Sequence, residues 1–141
     1  MRGKQEERRT LLRPVLIVTV IGICIASVHA QETERLSYSF RLGELRDQEA
    51  RAKGHCKQQN LGVALVGIEY SNSPEGFYYS AKFECGSPSA FGFPASYKQG
   101  DRGRLEEDIS GYCNDHGKQM ARQASEPAPR ADTFKATYEC K

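Results

Sequence analysis

The chain has no C-x-x-C pair, phosphate-binding glycine loop or nucleophile elbow in its 141 residues. These absences exclude the common sequence signatures of zinc sites, nucleotide binding and serine hydrolysis. No N-x-S/T sequon occurs, so no N-glycan is implied. No apolar run reaches the ~20 residues a helix needs to cross a bilayer; the longest, Val15–Ser27, falls short. An excess of charge is missing too. The totals of 20 basic and 18 acidic residues hide an uneven split, because residues 1–30 hold five basic and two acidic side chains. Residues 31–141 therefore carry 15 basic against 16 acidic, a net charge of −1. That balance argues against nucleic acid or an anionic membrane held by bulk charge. A stretch of this size makes one small domain, too short for a two-domain enzyme with a cofactor fold, and no cofactor or metal is expected.

The N-terminus reads as a leader. A polar, basic segment from Met1 to Arg13 precedes the apolar run, and Val28-His29-Ala30 places small residues at −3 and −1 of a cleavage site before Gln31. These are the three parts of a secretory signal peptide. The expectation is cleavage after Ala30, a secreted or periplasmic product, and no membrane insertion afterwards. Arg8-Arg9-Thr10-Leu11-Leu12-Arg13 also has the form of a twin-arginine export signal, although the strongly apolar run favours the general secretory route. Cys24 follows Ile23 rather than a small residue, so no lipid anchor is expected.

Four cysteines remain after cleavage: Cys56, Cys85, Cys113 and Cys140. An even number in an exported small domain reads as disulfides. Their order reveals an internal duplication, roughly 36–85 and 97–140. Gly54-His55-Cys56 matches Gly111-Tyr112-Cys113, and the stretch Tyr79–Cys85 matches Phe134–Cys140 as aromatic-x-Ala-x-aromatic-Glu-Cys. Gly62 to Cys85 and Gly117 to Cys140 are equally spaced, a gapless register in which Leu65 meets Met120 and Pro74 meets Pro129.

Each copy reads as a helix followed by a hairpin. Leu42, Leu45, Ala52 and Cys56 recur on one helical face, as do Leu105, Ile109, Tyr112, Cys113 and His116. Glu106, Glu107 and Asp108 suit a first helical turn, where the dipole favours acids, and Gly117 suits a stop. Val63–Tyr70 and the alternating Phe77–Cys85 flank the turn residues 71–76. The second copy repeats this with a weaker strand at Lys118–Ala124 and a turn at Glu126–Asp132. Four cysteines allow three pairings, and duplication favours Cys56–Cys85 with Cys113–Cys140, each stapling a helix to its own hairpin. The expected fold is α+β, αββ–αββ, an antiparallel sheet of four strands with two helices on one face. Leu36–Phe40 alternates well enough to add an edge strand.

The candidate chemistry is sparse. His55 and His116 each lie near a helix cysteine and are candidates for an acid–base pair. Glu84 and Glu139 hold equivalent positions, and a pseudo-twofold axis with the last strands adjacent would bring them together as paired carboxylates. The linker Gly86–Arg104 carries Phe91, Phe93 and Tyr97 among Gly, Pro and Ser, the composition of a partner-binding loop, unless the rings fold back on the core. Tyr78 adds an aromatic on the open sheet face. The leading expectation is a non-enzymatic binding module for a protein or cell-envelope component. A small secreted hydrolase using the histidines or glutamates, and a metal or ligand carrier, are the alternatives. Oligomeric state is not legible.

Overall fold

The computed structural model describes residues 33–71, 76, 78–86 and 92–141. The expected leader, residues 72–75, Phe77 and the stretch 87–91 with Phe91 lie outside the described residues. Among the described residues no helix is long and apolar enough to cross a membrane.

The chain is α+β. From 35 to 85 it runs β1 (Arg35–Phe40), α1 (Leu45–Lys57), β2 (Val63–Tyr70) and β3 (Tyr79–Cys85). From 92 onward it runs β4 (Gly92–Lys98), α2 (Arg102–Asp115), β5 (Met120–Arg122), β6 (Glu126–Pro127) and β7 (Thr133–Cys140). All seven strands join one sheet in the order β1-β3-β2-β4-β7-β5, with β6 continuing the β5 edge along β7. The sheet is larger than the expected four strands and is mixed: β2 and β4 pair in parallel through Ile68 and Ala95, while the other pairings are antiparallel.

The parallel seam corrects the expected twofold arrangement. A twofold axis would set equivalent strands antiparallel across the junction. Here β1, β2 and β4 run the same way, and β3 and β7 each sit one strand in from the same side. The second half therefore follows the first by translation along the sheet.

Local chemistry explains the corners. Arg41-Leu42-Gly43-Glu44 and Lys98-Gln99-Gly100-Asp101 turn each leading strand into its helix. The Glu44 N–H donates to the Arg41 carbonyl and the Asp101 N–H to the Lys98 carbonyl, both at 3.0 Å. Gly43 and Gly100 have φ of 101° and 92°, which a side chain would strain. Both helices end alike. Asn60 and Gly117 take φ of 56° and 69°. The next residues, Leu61 and Lys118, donate backward to the carbonyls of Cys56 and Cys113, the pattern of a Schellman stop. Helix α1 begins at Leu45, so Leu42 belongs to the corner. Helix α2 begins at Arg102, so Glu106, Glu107 and Asp108 lie beyond its first turn.

Both disulfides form as favoured: Cys56–Cys85 and Cys113–Cys140, each with Cα atoms 5.3 Å apart. Each closes a loop worth about 3.5 kcal/mol in the chain-entropy account. The core lies between the helices and one sheet face, where Phe40, Tyr79, Phe83, Phe93, Tyr97, Ala136 and Tyr138 meet Leu45, Ala52, Leu105 and Ile109. The opposite face is polar, with Ser37 bonded to Ser80 and ion pairs Arg35–Glu84 and Lys82–Glu69.

The linker reading is corrected most. Half of it is β4, whose Phe93, Ala95 and Tyr97 alternate into the core. Phe93 and Tyr97 are 1% and 3% exposed, so these two rings present no binding surface. Gly92 and Pro94 disguised the strand, since proline in a central strand forfeits a ladder donor. An added Cβ on Gly67 would meet the Pro94 carbonyl at 3.7 Å, so Pro94 faces β2. The missing N–H therefore falls on the parallel seam, where the Tyr70 N–H is satisfied instead by the Ser96 hydroxyl at 2.9 Å.

Candidate functional site

The two strand-to-helix corners open onto one cleft of about 570 Å³. It lies beyond the carboxyl ends of the parallel strands β1, β2 and β4, where open sheets with helix starts commonly hold ligands. Arg41 and Leu42 enter from the first corner, and Lys98 and Asp101 from the second. Arg104 adds a third cation from the first turn of α2. Tyr70, at the end of β2, and Tyr79, at the start of β3, supply aromatic surface, with Gly76 and Tyr78 along the hairpin side. Tyr78 is 49% exposed, the one large apolar side chain so open among the described residues. It therefore edges this cleft and does not lie on the open sheet face.

The aromatic part is held rigidly. Tyr79 packs between Phe40 and Tyr70, with ring centroids at 5.9 and 5.5 Å. Its hydroxyl donates to Asp101 Oδ2 at 2.9 Å and accepts the Lys98 N–H at 3.2 Å. Burial, before any other cause, pushes the Tyr79 phenol well above its ordinary range. It is a structural donor at neutral pH. This bond draws the Asp101 side chain away from capping α2.

The first corner is tied to the second half by Asp108, whose Oδ2 accepts the Gly43 N–H at 2.6 Å. Burial raises the Asp108 carboxyl above its usual value, against the lowering effects of that hydrogen bond and of Arg104. Lys98 and Arg104 make no ion pair among the described residues. The cleft thus offers three cations against the Asp101 carboxylate, around aromatic surface. It is suited to hold an anionic ligand with faces that rest on tyrosine rings.

The other candidates are scattered. His55 pairs with Glu34 at 2.8 Å, and Glu34 is also bonded by Gln59, whose hydrogen bond before that of His55 lowers its carboxyl pKa. His116 pairs with Glu49 and packs on the Tyr112 ring at 4.7 Å. Each histidine is thus held by a different glutamate. Glu84 and Glu139 lie on β3 and β7, with β2 and β4 between them, so three strand spacings, roughly 14 Å, separate them. The four cysteines are all in disulfides. Among the described residues no three His, Cys, Asp or Glu side chains cluster as a metal site would require.

Sequence reasoning passed over Arg41, Lys98, Asp101, Arg104, Tyr70 and Tyr79. A signal was present. R-L-G-E at 41–44 and K-Q-G-D at 98–101 share the form cation-x-Gly-acid and are 57 apart, the same offset that separates Gly54 from Gly111 and Cys56 from Cys113. Comparison of the chain with protein-family models, with curated proteins and with solved structures finds no match.

Proposed function

We propose that the chain is an exported binding module, acting in the periplasm or cell envelope, that holds a protein or envelope component in the cleft between its two strand-to-helix corners. The observation that carries this reading is the meeting of Arg41, Lys98 and Arg104 with Tyr70 and the exposed Tyr78 in one cleft. Two disulfides support an oxidising compartment, and the leader of residues 1–30 accounts for how the chain reaches it.

The unit that was duplicated is, on this proposal, strand–helix–hairpin rather than helix–hairpin. The matching corners, helix stops and disulfides support it, as does the equal order of β1-β3-β2 and β4-β7-β5. Duplication also explains the cleft, because it places equivalent cations, Arg41 and Lys98, at both sides of one opening.

The test is crosslinking of the exported protein within its host's envelope. Wild type is expected to yield a discrete crosslinked species, lost in Lys98→Ala and Tyr78→Ala variants whose melting matches wild type. Persistence of that species in both variants would overturn the cleft as the binding site. Intact-mass measurement of the same material is expected to show a chain starting at Gln31 with both disulfides. A mass retaining residues 1–30 would overturn the cleaved-export reading.

A further inference from the structure

The cleft's geometry narrows its ligand, and the narrowing rests on the cleft being the binding site. Arg41 follows β1 and Lys98 ends β4, with β3 and β2 between them, so the two cations belong to strands roughly 14 Å apart. Tyr79 and Tyr70 occupy the strand ends between. A compact single anion meets one cation or the other. A ligand that uses both must be elongated and charged at intervals, with flat apolar faces between the charges.

Three kinds of linear polyanion meet that description in part. Extended peptides gain their affinity by pairing with a sheet edge and filling apolar side-chain pockets. This cleft lies at strand ends, and Leu42 is its one aliphatic lining residue. Single-stranded nucleic acid wants a broadly positive surface as well as stacking rings, whereas residues 31–141 are net −1. A uronate-bearing sugar chain wants what is present: spaced cations for its carboxylates, and tyrosine rings against which the C–H faces of sugar rings pack.

We infer that the cleft binds a linear acidic polysaccharide laid across the strand ends, with carboxylates at Arg41 and Lys98 and sugar faces on Tyr70 and Tyr78. The test is calorimetric titration of the exported protein with oligogalacturonate, a neutral maltooligosaccharide of the same length, oligoglutamate and oligothymidylate. Oligogalacturonate is expected to bind, more weakly as salt rises, and the neutral sugar not to bind measurably. Lys98→Ala is expected to weaken binding about tenfold, the loss of one charge-assisted contact. Tyr78→Ala is expected to weaken it several-fold with the salt dependence unchanged. Equal or tighter binding of oligoglutamate or oligothymidylate would overturn the saccharide assignment. So would binding of no probe by a protein whose envelope crosslink still depends on Lys98 and Tyr78, an outcome that leaves the cleft itself standing. Loss of that dependence would instead remove the cleft.

Discussion

The two halves of the molecule share their corners, helix stops and disulfides, and differ in one strand. Counted forward 57 residues from β2, Val-Ala-Leu-Val-Gly-Ile-Glu-Tyr at 63–70 becomes Met-Ala-Arg-Gln-Ala-Ser-Glu-Pro at 120–127. The first is a continuous eight-residue strand; the second is two short pieces, β5 and β6, interrupted at 123–125. Their positions explain the difference. Strand β2 has β3 on one side and β4 on the other, whereas β5 and β6 have β7 on one side and no strand beyond. An interior strand can be apolar and long, while an edge is kept short and polar, and Pro127 offers no donor there for another chain. The lesson is that place in the sheet, not unit ancestry, set the composition of each strand.

The largest test of that comparison pairs Phe93 with Leu36, its counterpart 57 residues earlier. Phe93→Ala in interior β4 is expected to cost about 3–5 kcal/mol, and Leu36→Ala on half-buried edge β1 about 1 kcal/mol, by urea unfolding. Equal losses would mean the seam between the halves is as loosely packed as the edge. Next, Cys56→Ser with Cys85→Ser, and Cys113→Ser with Cys140→Ser, are each expected to cost about 3.5 kcal/mol. A clear inequality would show that the halves are not energetically alike.

A pH series separates the helices. Asp108 on α2 is buried, while the matching position on α1 is Arg51, which is exposed and lies over the Tyr38 ring at 4.7 Å. Because the folded-state pKa of Asp108 is raised, the unfolded chain loses this proton first. Stability therefore falls as pH climbs from the ordinary carboxylate value through the raised one, and the deficit is complete above it. Asp108→Asn, which keeps an acceptor for the Gly43 N–H, is expected to flatten that fall in urea titrations. An unchanged slope would show that another group causes it. The helix stops come next: Asn60→Gly should stabilise by about 0.5 kcal/mol and Gly117→Asn destabilise by a similar amount. The smallest effect is Arg46→Ala. It removes a two-point pair with Asp115 between the helices, both bonds at 2.6 Å, yet an exposed pair of this kind contributes about 0.5 kcal/mol.

Much of the helix and hairpin pattern was legible because it depends on local periodicity. The burial of Cys56 and Cys113 on helical faces, and of Cys85 and Cys140 on alternating strands, followed from spacings of 3.6 and 2. The matched register of the copies was only partly legible. In the sheet Val63 opposes Cys85 and Met120 opposes Cys140, so Met120 corresponds to Val63 and not to Leu65. The gapless alignment erred because the second hairpin is two residues shorter beyond the helix stop. Strand β2 hid its own irregularity as well: the register shifts between Leu65 and Gly67, so Leu65 and Ile68 both face the core three residues apart. The cleft was illegible for a different reason. Its cations sit 57 residues apart in turns that look like ordinary polar corners, and a cation becomes a site residue only when folding sets it against tyrosine rings.

By itself, then, the sequence determined the α+β class, the two helices, the last strand of each half and the grouping of the cysteines, because each is a short-range matter of side-chain period and turn chemistry. Tertiary structure alone decided that β4 is an interior strand despite Gly92 and Pro94, that the halves meet through a parallel seam, and that Arg41, Lys98 and Tyr78 share one cleft. Those outcomes depend on which strand lies beside which, and no local pattern carries that choice: burial of the whole sheet face against both helices makes it.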